Sequence, residues 1–299
     1  MSNLVAENSR FCSALWLSKN LNNVKIIDAS WYLPTMKRNT QNEFLEKRIP
    51  SSIFFDIDGV KDQSSDLPHM LPSEQTFNKF MDDHGISNDD TIVFYDSHGF
   101  MGACRAMWSF EALGHSDVKI LEGGLKDWVK ATNSIESGPF KRPEPSAGYS
   151  SSLVKDLVVS KSQILEAVNQ LIKSNGLKGP QIIDARPAAR FDGKEAEPRP
   201  GLTCGHMPFS MNIPFTELFK PSVNGGAVCK SSQELNEIFN SQELMIDLHN
   251  KPIITTCGSG ITAACLYVAL KHAGAESVSV YDGSWSEYGL DPTNPVVSS

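Results

Sequence analysis

The sequence predicts an α/β protein built from two successive copies of one unit, each a parallel sheet with helices packed on it. Three observations carry this. Apolar runs of strand length alternate with amphipathic stretches of helix length, the pattern of a parallel sheet covered on both faces. The order of these segments in the first half recurs in the second. Between the halves, Gly138-Pro139-Phe140-Lys141-Arg142-Pro143-Glu144-Pro145-Ser146 has the composition of a linker. A chain of 299 residues is long enough for two domains. The expected limits are 1–137 for the first unit, 138–155 for the linker and 156–299 for the second.

In the first half, Val24 to Asp28 reads as a buried strand ending in an acid, and Ile49-Pro50 turns into a second strand at Ile53 to Asp56. Pro72-Ser73 opens a helix whose Phe77, Phe80 and Met81 recur at i, i+3, i+4, and Gly85 closes it. Thr91 to Asp96 is a strand, Ala106 to Leu113 a helix stopped by Gly114, and Val118 to Gly124 a strand and turn before Trp128. The second half repeats the order. Pro180 to Asp184 matches the first strand, and Met207-Pro208 matches Ile49-Pro50. Ser231 and Ser232 open a helix bearing Leu235, Ile238 and Phe239. Ile253 to Cys257 matches Val93 to Asp96, and Val278 to Gly283 with Tyr288 matches Leu121 to Gly123 with Trp128. Ahead of these, Ser160 and Gln163 form a capping box before Ile164, Leu165, Val168, Leu171 and Ile172.

Composition narrows the function. A hydrophobic share of 40% with 21% charged residues supports a full core. The net charge of −8, with no basic stripe interleaved with aromatics, argues against nucleic acid as a partner. Six scattered cysteines without C-x-x-C form neither a disulfide framework nor a zinc site and suit a reducing compartment. No apolar run reaches the roughly 18 residues of a membrane span, so no membrane is expected as a partner. Met1 to Arg10 shows neither a signal-peptide core nor an Arg-rich presequence. The cytoplasm is the expected compartment, with mitochondria left open.

The chemistry centres on Thr255-Thr256-Cys257-Gly258-Ser259-Gly260-Ile261-Thr262. A cysteine stands where an apolar strand stops, a glycine-bearing loop follows, and a helix opens after it and ends near Gly274. Such a loop turns several N–H groups toward one point, and the helix N-terminus adds its positive end. Both favour a thiolate, the nucleophilic form. A cysteine alone reads more often as an inert core residue; the Gly-Ser-Gly context reverses that. Asp96 occupies the matching position in the first unit and supplies no thiolate, so that unit serves as scaffold and as one wall of the site. In an open parallel sheet ligands bind beyond the strand carboxyl ends, where Arg186, Arg190 and Arg199 follow another strand of the second unit. They either fork onto a substrate carboxylate or are solvated loop charges. His69, in the loop Gly59 to Pro72 of the first unit, is with Asp58 either an oriented base or an incidental loop histidine. His206 reads as structural, Cys204 and Cys265 as inert, and Trp285 as packed against the interface between units.

The Cys257 to Thr262 loop resembles that of 3-mercaptopyruvate sulfurtransferases in the two-domain rhodanese family. Further matches are Ile27 to Pro34, Phe54 to Asp58, His69 to Pro72, Ala189 to Phe191, Glu197 to Arg199, Asn212 to Phe215 and Tyr281 to Trp285, so the likeness spans nearly the whole chain. It implies two tandem rhodanese-like domains with the site in their cleft. It also implies Cys257 as the residue that takes up sulfur as a persulfide, from 3-mercaptopyruvate, with pyruvate released. Arg190 and Arg199 then bind the substrate's carboxylate and keto oxygen, Gly258, Gly260, Ile261 and Thr262 complete the binding loop, and Ser259, His69 and Asp58 form a proton relay. The implied acceptor is cyanide in an assay, or a thiol such as thioredoxin or a downstream sulfur-accepting protein; no metal or organic cofactor is implied. Two positions depart from the family: Phe209 stands where glycine is usual after His-Ile-Pro, and Tyr288 where tryptophan is usual. The rivals are a thiosulfate sulfurtransferase, a persulfide relay toward tRNA thiolation, a non-catalytic binding module, and a cysteine phosphatase. Ala263 opposes the last, whose loop needs arginine there.

Overall fold

The structure, a computed structural model, describes residues 9–97 and 100–298. The first eight residues, on which the absence of a leader was partly read, lie outside them. The elements in chain order are β1 (Phe11–Cys12), α1 (Ala14–Asn20), β2 (Lys25–Asp28), α2 (Thr40–Glu46), β3 (Ile53–Phe54), α3 (Glu74–Asp83), β4 (Ile92–Tyr95), α4 (Met101–Ala112), β5 (Val118–Leu121) and α5 (Gly124–Thr132). The second half contributes β6 (Val158–Val159), α6 (Lys161–Ser174), β7 (Gln181–Asp184), α7 (Ala188–Phe191), β8 (Met211–Asn212), β9 (Phe219–Pro221), β10 (Ala227–Cys229), α8 (Ser232–Phe239), β11 (Ile253–Thr256), α9 (Ile261–His272), β12 (Val278–Tyr281) and α10 (Ser284–Tyr288).

Each half holds one five-stranded parallel sheet, and the two strand orders agree: β1-β5-β4-β2-β3 and β6-β12-β11-β7-β8. The predicted duplicated α/β fold is therefore present. The register repeats as well, Asp28 facing Tyr95 as Asp184 faces Thr256. This order puts β4 and β11 at the sheet centres, so Asp96 and Cys257 follow the most enclosed strand of each unit.

The chain divides into two compact units that exchange segments. Unit 1 comprises 1–61, 72–153 and 220–229; unit 2 comprises 62–71, 154–219 and 230–299. The stretch read as a linker has no helix or strand through residue 154. Gly138 N and Ser146 N donate to the carbonyls of Leu45 and Asp82, and Tyr149 is buried with its ring edge-on to Phe77.

Local chemistry explains the elements. Ser73 accepts from Thr76 N at the start of α3, and Ser160 with Gln163 forms the expected capping box at α6. A second box, Ser231 with Glu234, opens α8. α4 begins five residues earlier than expected because the Asp96 carboxylate accepts from the N–H groups of Gly102 and Ala103, a helix start that needs no apolar period. Gly102 itself is required: a β-carbon there would overlap the carbonyl of Ala29. On one face of the first sheet, Phe55, Phe77, Phe80, Phe94 and Phe110 pack edge to face with centroids 4.8–5.3 Å apart. In unit 2, every residue of α9 from Ala263 to Leu270 is buried, so that helix runs through the interior.

The two sheets differ in how they treat the acid that ends β2 in one and β7 in the other. Asp184 receives Nε and Nη2 of Arg186 at 2.9 and 2.7 Å, while Nη1 reaches Glu197 at 2.6 Å and Nη2 also reaches the Gly205 carbonyl at 2.8 Å. The guanidinium lies 4.2 Å from the ring centroid of Trp285. Burial opposes its charge, but Asp184 and Glu197 outweigh that and hold Arg186 above its ordinary value. Arg186 is therefore neither a substrate fork nor a solvated charge. Trp285 likewise lies in the core of unit 2, fully buried beside Ile182, Tyr281 and Tyr288; an indole in a turn motif gives no sign in sequence of which side it packs on. Asp28 has Ser30 at the position of Arg186. Burial pushes its carboxyl up to about 6, Ser30 and Tyr95 hydrogen bonds oppose this, and the Asp96 charge adds to it.

Phe209 takes a left-handed backbone, φ 62°, and its counterpart after Ile49-Pro50, Ser51, has φ 63°. The turn thus demands the conformation glycine adopts most readily, and this chain meets it twice without glycine.

Two outcomes are expected. Arg186→Met leaves Asp184 and Glu197 buried without their cation and lowers stability by about 3–5 kcal/mol, whereas Arg38→Met, at the exposed pair with Glu43, costs under about 1 kcal/mol; urea midpoints compare them. For Asp28, a folded value above the unfolded one means its contribution is fully present below about pH 4 and is lost as pH rises through about 6. Asp28→Asn should remove this fall, on the order of 3 kcal/mol, read as thermal midpoints between pH 4.5 and 7.5; an unchanged pH slope would refute it.

Candidate active site

Cys257 follows β11 directly, and α9 begins four residues later. The turn between them relies on Gly260, whose φ of 87° is left-handed. The cysteine is 2% exposed, and the Gly260 N–H donates to its Sγ at 3.1 Å. The rest of the loop is held from behind by the start of α10. Trp285 N donates to the Cys257 carbonyl at 2.9 Å. Ser286 N and Oγ both donate to the Gly258 carbonyl, at 2.9 and 2.6 Å. A trans peptide is planar, with its N–H opposite its C=O. Fixing those two carbonyls toward α10 therefore turns the N–H groups of Gly258 and Ser259 away from α10. The Gly260 N–H, on the sulfur itself, is a donor suited to a charged sulfur.

Ser284 completes this arrangement. It is fully buried and left-handed, φ 49°, and its hydroxyl accepts from Cys257 N at 3.2 Å, donates to the Tyr281 carbonyl at 2.9 Å and lies 4.0 Å from Cys257 Sγ. The matching residue in unit 1 is Gly124, φ 57°. Sequence reasoning gave Ser284 and Ser286 no role. The signal was the repeat itself, in which serine replaces a glycine at a left-handed position. Unit 1 shows the same scaffold with different chemistry: Leu125 N donates to the Asp96 carbonyl, as Trp285 N does to that of Cys257, and a carboxylate at the helix start stands where unit 2 has sulfur.

The other expected residues distribute as follows. Ser259 and Ile261 are buried in the Cys257 loop and Thr262 is half-buried. His69 is buried, with φ 59°. The sequence placed it in the first unit, but its segment, 62–71, clusters with unit 2, where Leu71 N donates to the Asp282 carboxylate at 2.8 Å. A loop without strand or helix takes its place from its partners, and sequence order does not show them. Asp58 belongs to unit 1, exposed, its Oδ2 accepting from Trp31 Nε1 at 2.9 Å. Arg190, at the end of α7, is partly exposed and lies 3.7 Å from Glu197, the acid already bound by Arg186; Arg199 is exposed in the loop beyond it. His206 packs flat on Phe191 with Nδ1 2.8 Å from the Phe191 carbonyl, as a structural residue would. Cys265 is buried within α9, and Cys204 is exposed.

Comparison with known proteins agrees with this construction. The chain is 39% identical to a probable 3-mercaptopyruvate sulfurtransferase of Schizosaccharomyces pombe, over 91% of this chain and 89% of that protein. It is 36% identical to thiosulfate/3-mercaptopyruvate sulfurtransferase 1, mitochondrial, of Arabidopsis thaliana, over 95% and 76%. The crystal structure of the 3-mercaptopyruvate sulfotransferase SseA of Escherichia coli superposes with a TM-score of 0.78 at 35% identity, covering 93% of this chain and all of that one. A family model described as the rhodanese-like domain matches residues 13–131 and 165–291. With one match in each half, the chain belongs to the rhodanese family and carries its domain twice.

Proposed function

We propose that this protein is a 3-mercaptopyruvate sulfurtransferase that takes sulfur onto Cys257 and hands it to a thiol. The observation that carries the reading is the buried Cys257 sulfur under the Gly260 N–H, in a loop whose carbonyls are tied back and whose side chains carry no charge. The division into a scaffold repeat, 1–137, and a catalytic repeat, 156–299, joined by 138–155, is part of the reading.

The reaction runs in two steps. Cys257 thiolate attacks the substrate sulfur, an S–S bond forms, and the C–S bond breaks with its electron pair passing to carbon, giving the enolate of pyruvate. The proton first held by the substrate thiol is moved to that carbon, the task assigned to Ser259, His69 and Asp58. The persulfide left on Cys257 is then anionic, and the loop N–H groups stabilise it. An acceptor thiol attacks the outer sulfur and regenerates Cys257 thiolate. Thioredoxin or a downstream sulfur-accepting protein fits this role, and the cytoplasm is the compartment proposed.

Substrate choice follows from where the cations stand. Thiosulfate is a compact dianion that calls for positive charge beside the sulfur, and Gly258 and Ser259 supply none. Mercaptopyruvate carries its charge on a carboxylate several bonds away, where Arg190 and Arg199 are the proposed partners.

Two measurements test this. Incubation with mercaptopyruvate should add one sulfur to Cys257 by mass spectrometry, and Cys257→Ser should abolish both the adduct and turnover while Cys265→Ser keeps them; turnover by Cys257→Ser would refute the nucleophile. Wild-type protein should prefer mercaptopyruvate over thiosulfate. Arg190→Gly or Arg199→Gly should mainly raise KM, by the equivalent of roughly 1.5–3 kcal/mol. Gly258→Arg, where a β-carbon meets nothing within 4 Å, combined with Ser259→Lys, should move preference toward thiosulfate. Equal use of both donors by the wild type would overturn the charge argument.

A further inference from the structure

The Ser286 hydroxyl has no counterpart in the other repeat and no task in the fold of α10. It is 5% exposed and donates to the Gly258 carbonyl at 2.6 Å, although the Ser286 N–H already donates to the same oxygen at 2.9 Å. That carbonyl belongs to the peptide whose N–H is that of Ser259, which therefore points away from α10. In unit 1 the matching position is Lys126, whose ammonium reaches the Gly225 carbonyl. The repeat that carries the thiol has the Ser286 hydroxyl on a loop carbonyl; in the other repeat the Ser30 hydroxyl instead accepts from a loop N–H, that of Ser97.

We infer that Ser286 is a positioning residue for sulfur transfer: its hydroxyl locks the Gly258–Ser259 peptide so that the Ser259 N–H stays aimed at the negatively charged sulfur of Cys257. One hydrogen bond, from Ser286 N, leaves that peptide free to rock about the acceptor. Two donors on one oxygen restrict the rocking, and preorganised donors act only when held at the angle the charge requires. The inference rests on the proposed persulfide chemistry, and it concerns the same loop.

The test uses the full chain and separates the two ideas. Ser286→Ala removes the hydroxyl and keeps the backbone bond; Ser286→Thr keeps the hydroxyl. With mercaptopyruvate, Ser286→Ala should lower kcat about tenfold with KM changed less than about twofold, and Ser286→Thr should restore most of it. Independently of any substrate, the rate at which iodoacetamide alkylates Cys257, followed on its own peptide by mass spectrometry, should fall about tenfold near pH 7 in Ser286→Ala and converge with the wild type at high pH. The convergence marks an effect on the charged sulfur, which a purely structural role would not give. A wild type that alkylates as described but does not turn over mercaptopyruvate would count against the substrate reading and leave the role of Ser286 standing. Wild-type alkylation and turnover in Ser286→Ala would overturn it, as would a fall in thermal stability with both rates unchanged. Should Ser286→Thr fold poorly, failure of a folded Ser286→Ala to show the pH-dependent loss remains decisive.

Discussion

The peptide planes between Cys257 and Ser259 cannot show their carbonyls and their N–H groups to the same side. This constraint organises the catalytic half of the molecule. Something must accept the task of binding the carbonyls, or the loop will present oxygen to a sulfur that carries negative charge. The start of α10 does so with two N–H groups and one hydroxyl. α10 is in turn held by its own core: Trp285 is buried against Ile182 and Tyr281, stacks on the Arg186 guanidinium, and donates to the Thr203 carbonyl. The buried ion pairs of Arg186 with Asp184 and Glu197 thus sit two steps from the chemistry. Their part is to keep the ring under the helix that keeps the loop.

The duplicated scaffold shows how little separates a catalytic loop from a structural one. Both units end a central strand, turn, and open a helix whose first N–H groups look back at the residue after the strand. In unit 1 that residue is Asp96, and its carboxylate is consumed by capping α4. In unit 2 it is Cys257, which receives the Gly260 N–H and keeps its sulfur for chemistry. The shared site is one for a negative charge; the side chain decides whether the charge is spent on the fold.

Much of this was legible in the sequence because strand and helix periods, caps and the internal repeat are local signals. Ser160 with Gln163 marked a helix start, and Cys257 stood out by its strand-loop-helix setting. Other features depend on distant partners. The early start of α4 needed Asp96 to reach Gly102. Arg186 looked like a binding arginine because the chain does not state that Glu197 and Asp184 will enclose it. His69 lies within the first rhodanese-like match, 13–131, while its segment 62–71, which has no periodicity, clusters with unit 2 beside Asp282. Ser284 and Ser286 were quoted within a motif or beside it, but their hydroxyls acquire meaning only from the carbonyl and amide groups some 28 residues earlier in the chain.

The reciprocal exchange of short segments has a consequence for synthesis. Unit 1 includes 220–229, where Ser222 and Gly226 bind the Asp127 carboxylate and Gly123 N donates to the Ala227 carbonyl. Its main body is finished at residue 153, yet its last segment is made only after β6, β7 and β8 of the other unit. At roughly 5–20 residues per second, the nascent first unit waits several seconds with the N-terminal turn of α5 unclosed, while 62–71 waits for Asp282 to be made. A chain interrupted at the boundary between the halves therefore leaves unit 1 without 220–229 and leaves 62–71 without Asp282.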